Sequence, residues 1–487
     1  MDKKVINAAK WSLLTELLAK LIVPVTNIIL AHILAPEAFG IMASLMMIIT
    51  FAQMLSDTGF QKYIVQHEFT DVEELHKHES VAFWTNFCFQ FIIWILIILA
   101  RDPLANVLGL RGMGNSLAVM GSILPLYAFT SIQIGILQRS FNFKKLLRVR
   151  MINITMPLLI SVPLAILGMD YWSLIIGFLS AQGATALFMF FFMPNEIQLY
   201  FNFKILRQMI GFSGWSIIES ISIWLTVWCD TFIVGTFLAS YYLGLYKMPS
   251  AVVNTAMGVI ASAIVPVLFS ALSREQNDPT RFKLTFFSFQ KTIGLIVIPM
   301  GVGMFVYRDF IVNLIFGKQW SESAIVLGCW ALSSAIMLPT ANLISEVFRA
   351  KGMPRISFWC QILHLVVLVP VVYVFAQKSF DSLIYARSLV RGEAILVDLL
   401  FLYYVTPISP FEIFSNIMRY IILSLIMGVF GYAASSIYSA SGWTVATMIL
   451  CALFYFMLLL LFKSDRDIII GCVTSVIGKR SSRKRSR

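Results

Sequence analysis

The chain has 487 residues, 59% hydrophobic and only 13% charged, with 37 Lys and Arg against 25 Asp and Glu for a formal charge of +12. Its mean hydropathy is +0.83. A soluble domain carries about 25% charged residues. The composition therefore excludes an ordinary soluble enzyme, and long apolar blocks without strand-like alternation exclude a β-barrel.

Hydropathy predicts an all-α polytopic membrane protein of about 14 helices, most of them covering the ~18–20 residues that cross a ~30 Å hydrocarbon core. In chain order they span 11–34, 39–60, 81–100, 116–137, 151–168, 171–193, 211–238, 243–271, 284–307, 323–348, 356–376, 383–405, 413–436 and 442–462. The first is preceded by Lys3, Lys4 and Lys10. Its apolar run is too long for a cleavable signal and contains Glu16 and Lys20, so it is expected to stay in the protein. The cysteines Cys88, Cys229, Cys329, Cys360, Cys451 and Cys472 are scattered, without CxxC, and read as small buried hydrophobes.

Charge sets the expected orientation. With the N-terminus in the cytoplasm, cytoplasmic stretches hold 26 Lys and Arg, including Arg139, Lys144, Lys145, Arg148 and Arg150 in one loop. The opposite side holds five: Arg101, Arg111, Arg308, Lys318 and Lys378. Both termini are therefore expected to be cytoplasmic. No loop is long enough for a separate soluble domain. The basic 479–487 run is expected to lie against anionic lipid, with no nucleic acid as partner.

The chain matches itself at an offset of 204 residues. Trp11-Ser12-Leu13-Leu14 faces Trp215-Ser216-Ile217-Ile218, and Leu34-Ala35 with Phe39-Gly40-Ile41 faces Leu238-Ala239 with Leu243-Gly244-Leu245. Later, Arg101-Asp102 and Asn106 face Arg308-Asp309 and Asn313, and Arg139 faces Arg349. Six helices separate the repeats, so the halves run parallel about an axis along the membrane normal. This gives lobes at 1–205 and 206–410, two extra helices at 411–463, and a basic tail at 464–487. The substrate path is expected between the lobes.

Leu34-Ala35-Pro36-Glu37-Ala38-Phe39-Gly40, followed by an apolar helix and Asp57-Thr58-Gly59-Phe60, resembles the opening of bacterial polysaccharide-exporting flippases. These belong to the multidrug/oligosaccharidyl-lipid/polysaccharide exporter superfamily, and the O-antigen and colanic-acid types are most similar. The resemblance implies a flippase of the bacterial inner membrane that moves undecaprenyl-diphosphate-linked oligosaccharide from the cytoplasmic to the periplasmic leaflet. It also implies a V-shaped cavity between the lobes and alternating access.

Ionisable residues inside helices mark candidate sites, since each costs ~2.5–3.5 kcal/mol near the bilayer centre. Glu16 and Lys20 share a face of the first helix, and Glu219 and Asp230 one of the seventh. On the twelfth helix, Arg387, Arg391 and Asp398 form one stripe, with Glu393 on another side. An anionic diphosphate needs cations, so Lys20, Lys247, Lys291, Arg387 and Arg391 are the substrate-site candidates. Pairing within the helix is the alternative for Lys20, and snorkelling for Lys291, Arg387 and Arg391. Glu16, Asp57, Asp230 and Asp398 are candidates for coupling or gating, driven by an H⁺ or Na⁺ gradient. The alternative for the acids is a salt bridge, and for Asp57 a helix cap.

Glu346 and Arg349 are expected to pair locally, and Arg419 to snorkel to the cytoplasm. His32 and His364 read as lone histidines. His67, His76 and His78 lie in an acidic loop, and no metal or other cofactor is expected. Trp215, Trp224, Trp228 and Tyr246 stand as sugar-stacking candidates, or as interface and packing residues. Pro24, Pro157, Pro163, Pro249, Pro266, Pro299, Pro339 and Pro370 are expected to break or bend their helices.

Three other readings remain open: a drug exporter of the same superfamily, a lipid II exporter, and a membrane polysaccharide polymerase. The expected partners are lipid-linked oligosaccharide, membrane lipids, and the polymerase and assembly proteins of the same process. No nucleotide-binding GxxxxGK[ST] loop is present, so ATP hydrolysis in this chain is not expected. Without the large periplasmic loop of polymerases, and with the repeat and opening motif, the chain is read as a transporter and not an enzyme.

Overall fold

The computed structural model of the chain describes residues 3–56, 59–192, 197–438, 440–462 and 465–466, leaving out the side chains of 3–10, 12–14, 16–17, 56 and 211–219. Among these residues every regular element is helical. The α-helices are α1 Lys3–Ile33, α2 Pro36–Ser56, α3 Phe60–Gln66, α4 Val72–Leu99, α5 Arg101–Val107, α6 Gly114–Gly121, α7 Ile123–Arg139, α8 Phe143–Ile166, α9 Asp170–Phe192 and α10 Phe203–Phe237. They continue as α11 Ser240–Arg274, α12 Pro279–Val306, α13 Arg308–Ile315, α14 Ala324–Met337, α15 Leu343–Ala350, α16 Pro354–Ala376, α17 Phe380–Val405, α18 Pro410–Ser435 and α19 Ser441–Leu460.

The chain is a multi-pass membrane protein. Among the described residues, 12 helical spans are long and apolar enough to cross a bilayer. The expected total of 14 exceeds this by two helices, α1 and α17, that are present in the described residues. In α1 the described apolar stretch is only Leu18–Ile33. The 26 residues of α17 include Arg387, Arg391, Glu393 and Asp398.

Side chains start several helices by meeting the backbone N–H groups that a first turn leaves over. Asp71 accepts from Glu74 N at α4, and Asp278 from Thr280 N and Arg281 N at α12. At α18, Ser409 and Glu412 form a capping box, with Pro410 in the first turn.

Pro24, Pro157, Pro163, Pro249, Pro266, Pro299 and Pro370 lie inside continuous helices and so do not break them. Helices in lipid tolerate proline where neighbouring groups satisfy the freed carbonyls. Only at Pro339 does the helix type change, to a π-helical turn Leu338–Asn342 between α14 and α15. There the fully buried Gln290 of α12 donates to the Pro339 carbonyl at 3.1 Å.

The chain packs as two compact units, Met1–Met248 with Ile315–Glu322 and Leu365–Leu383, and Pro249–Leu314 with Ser323–His364 and Ile384–Arg487. In the first unit, Ile41, Leu45 and Ile49 of α2 enter a core with Leu117, Met120, Ile123, Leu124 and Ile175.

Residues matched by the 204-residue offset meet inside this first unit. A Cβ on Gly40 would lie 1.8 Å from the Ser240 carbonyl oxygen, and one on Gly244 1.8 Å from that of Pro36. Pro36 and Ser240 are themselves an offset pair. The contact is thus reciprocal, as around a two-fold axis. Nearby, Gln319 and Trp320 donate to the Ala31 carbonyl at 2.8 and 2.9 Å, and Gly109 packs on the carbonyl of Gly235, the offset partner of Ala31.

In the second unit α12 packs on α14, α18 and α19. Its core joins Leu295, Ile298 and Val302 to Ile417, Tyr420, Met427, Cys451 and Tyr455. The two extra C-terminal helices are thus built onto the unit by apolar burial. Tyr455 OH donates to the Leu295 carbonyl at 3.0 Å, so its polar tip is satisfied.

Candidate substrate site

Among the described residues, the ionisable groups singled out by sequence fall mainly into three places. The first joins α10 and the start of α11. Asp230, on α10, is buried and accepts at Oδ1 from Thr231 N at 2.6 Å and from Lys247 Nζ at 3.2 Å. Its Oδ2 accepts from Tyr246 OH at 2.6 Å. Lys247 also lies 5.3 Å from the centre of the Trp228 ring. Asp230 and Lys247, read separately from sequence, are one ion pair between consecutive helices. The charge of Lys247 is matched inside the protein.

A buried pair of this kind sets up a double-mutant test. Removing one partner leaves an uncompensated buried charge and costs roughly 3–5 kcal/mol, while removing both costs far less. Lys247→Met is therefore expected to lower the melting temperature of the purified protein sharply, and adding Asp230→Asn to recover most of the loss. Equal melting temperatures for single and double variants would show that the pair contributes nothing.

The second place is built by α11, α14, the π-helical turn and α17. Arg387 and Arg391 are one turn apart on α17, and both guanidinium groups face Trp330 of α14, at 5.2 and 4.2 Å from its ring centre. Arg391 Nη1 donates to Ser334 Oγ at 2.8 Å, to Ser333 Oγ at 3.0 Å and to the Trp330 carbonyl at 3.4 Å. Trp330 Nε1 donates in turn to Asn254 Oδ1 at 2.9 Å, tying α14 to α11. Arg387 is only 7% exposed. Both arginines are held against the Trp330 ring inside the protein.

Arg391 lines a cavity of about 150 Å³. Its walls include Asn254, Gly258, Ser334 and Asn342. Asn254, Met257, Gly258 and Ala261 fall on one face of α11, and Gly258 leaves it open. Asn342 ends the π-helical turn. Such turns widen a helix locally and recur at functional sites.

Along α17 from this cavity, two more pairs link α16 to α17. His364 Nδ1 lies 2.8 Å from Glu393 Oε2. Cys360, itself buried, lies near the half-buried Asp398. His364 is thus not a lone histidine. Both pairs follow from α16 and α17 running antiparallel.

The third place holds Lys291, in a separate cleft between the middle of α12 and the first turns of α18, with Arg419 and Glu412. Lys20 is half-buried on α1. The side chains of Glu16, Trp215 and Glu219, and Asp57 altogether, lie outside the described residues. Glu346 and Arg349 pair as expected, at 2.8 Å. Arg419 is ion-paired to the buried Asp465 at 2.9 Å instead of simply reaching water. His67 and His78 stack near Tyr63.

Sequence reasoning missed Trp330, Ser333, Ser334 and Asn254. One signal was present: Trp330-Ala331-Leu332-Ser333-Ser334 places a Trp and two hydroxyls mid-span, away from the interfacial belts where Trp usually lies.

Residues 29–325 match the family described as polysaccharide biosynthesis protein (Polysacc_synt_3). The chain is 24% identical over 364 residues to the succinoglycan biosynthesis transport protein ExoT of Rhizobium meliloti (strain 1021), covering 75% of this chain and 73% of that protein. It is 24% identical over 391 residues to the lipopolysaccharide biosynthesis protein WzxC of Escherichia coli (strain K12), covering 78% and 76%. Among solved structures it resembles the lipid II flippase MurJ in its inward closed conformation, with TM-score 0.78, 15% identity, and 95% and 100% of the two chains covered. At that identity the likeness is one of fold.

Proposed function

The chain belongs to the polysaccharide biosynthesis protein family, and from that premise we propose that it is a lipid-linked oligosaccharide flippase. It carries an undecaprenyl-diphosphate-linked repeat unit from the cytoplasmic to the periplasmic leaflet by alternating access. The observation that carries this reading is the Arg391 cavity. A guanidinium held by two serines over an indole face is pre-oriented for a phosphate oxygen. The space of about 150 Å³ holds roughly five waters, so it suits a phosphate-sized group and excludes an oligosaccharide.

Arg391 binds the diphosphate, and Arg387, one turn away against the same Trp330 ring, adds a second positive charge nearby. A drug exporter for small cations would need carboxylates at this position. A lipid II exporter differs in the sugar and not in this chemistry. The relatives' names support transport over polymerisation. The Lys/Arg asymmetry favours a bacterial inner-membrane protein with both termini cytoplasmic, working beside a polymerase and assembly proteins. Asp230 and Asp398 are the acids proposed to take up the coupling H⁺ or Na⁺.

The test is translocation. Purified protein in liposomes, given an undecaprenyl-diphosphate oligosaccharide, is expected to expose the sugar to a membrane-impermeant probe without ATP. Protein-dependent translocation that vanishes when the diphosphate is removed from the lipid supports the reading. Folded protein that moves no lipid under either a pH or a Na⁺ gradient rejects it.

A further inference from the structure

Between the middle of α12 and the first turns of α18 lies a cleft of about 310 Å³, lined by Phe287, Lys291, Glu412, Asn416, Arg419 and Tyr420. Its charges are matched except for one. Glu412 is 2.6 Å from Lys283, and Arg419 is 2.9 Å from Asp465. Asn416 donates to Gln290 Oε1 at 2.8 Å. Lys291, half-buried in the wall, makes no ion pair or hydrogen bond among the described residues. An ammonium drawn partly out of water without a counter-charge is costly, and an anionic oxygen in the cleft offsets that cost.

The surface next to the cleft says which anion. From Arg419, α18 continues with Met418, Ile422, Leu425, Ile426 and Val429 on its outer side, 43%, 50%, 55%, 45% and 71% exposed. Spaced at three and four residues, they form one apolar stripe that starts at the cleft and runs along the membrane-spanning part of the helix. A polar cleft holding an unmatched cation, continuous with a lipid-facing stripe, has the two-part shape of a phospholipid.

We propose that the Lys291 cleft binds the phosphate of an anionic bilayer phospholipid, whose acyl chain lies along the exposed stripe of α18. Basic pockets between membrane helices recognise headgroups in this way. Lys291 makes the charge contact, and Asn416 and Tyr420 frame the headgroup. The site is separate from the Arg391 cavity and requires only that the chain spans a membrane, so it stands independently of the flippase reading.

The experiment is binding, measured apart from transport. Full-length protein in detergent is titrated with phosphatidylglycerol, with phosphatidylcholine and with undecaprenyl diphosphate, and lipid-bound species are counted by native mass spectrometry. Phosphatidylglycerol is expected to bind more tightly than phosphatidylcholine, and Lys291→Gln to weaken it by about fivefold, the effect of one surface cation. Lys291→Arg is expected to keep binding and so controls for folding. Lys144→Gln, which removes an exposed lysine elsewhere, is expected to leave it unchanged. Equal loss in Lys291→Gln and Lys144→Gln, or no loss in either, overturns the site. Lys291-dependent binding of undecaprenyl diphosphate alone overturns the phospholipid assignment.

Discussion

Replacing Arg391 by alanine is expected to cut flipping by about 10- to 100-fold, because a hydrogen bond to a charged group is worth about 1.5–3 kcal/mol. The guanidinium lies 3.0 and 2.8 Å from the hydroxyls of Ser333 and Ser334 and 4.2 Å from the centre of the Trp330 ring. Those contacts fix its plane before a ligand arrives, which lowers the entropy lost on binding. Arg391→Lys keeps a charge but loses the planar fork and the stacking, so it is expected to fall between wild type and alanine. Trp330→Phe removes the hydrogen bond to Asn254 while keeping a ring, and a smaller loss is expected. The rate of sugar exposure in the liposome assay is the readout, at matched protein density and with melting temperature as the folding control. Full flipping by a well-folded Arg391→Ala protein would remove the diphosphate role from α17.

This site was half legible in the sequence. Arg387 and Arg391 stand out because two arginines one turn apart in an apolar run need a reason. Their partners do not stand out, because Trp, Ser and Asn are common in membrane helices. Asp230 and Lys247 were each visible as charges. Their pairing was not, since it depends on how tightly α10 turns into α11 at Leu238–Ala239. The His364–Glu393 and Cys360–Asp398 pairs are a different case. Folding the α16–α17 hairpin near Ser379 sets 364 opposite 393 and 360 opposite 398, so a register count alone points to both pairs.

The fold was more legible than the site because hydropathy and charge bias act over whole helices. One lysine or arginine more or less leaves the loop asymmetry intact. The count of spans is softer at α17, where the charges that suggest function also remove the apolar signal. Helices α3, α5 and α13 were not visible at all. They have only seven, seven and eight residues, too short for a periodic pattern to register. The offset match told something hydropathy does not, because a glycine in an apolar helix has no lipid-facing use. Gly40 and Gly244 were matched as letters, and the structure gives the physical reason: each leaves room for the other repeat's backbone.

That contact predicts the effect of filling it. With Gly40→Val or Gly244→Val, the new Cβ would stand 1.8 Å from a carbonyl oxygen of the backbone. No side-chain rotation relieves it, so α2 and α11 must separate. Overpacking of this kind costs about 1–3 kcal/mol even when side chains can yield, and a cost of about 3 kcal/mol alone shifts a two-state population more than 100-fold. If transport alternates between a state with this contact and one without it, either valine variant is expected to empty the first state and to stop turnover. Spin labels at the exposed Glu37 and Ala239, in a cysteine-free background, report the separation directly. The distance is expected to lengthen in each single variant, and by similar amounts in both, because the two glycines hold equivalent places about the axis. An unchanged distance with normal transport would mean that the helices yield locally, and that the reciprocal glycine contact plays no part in the cycle.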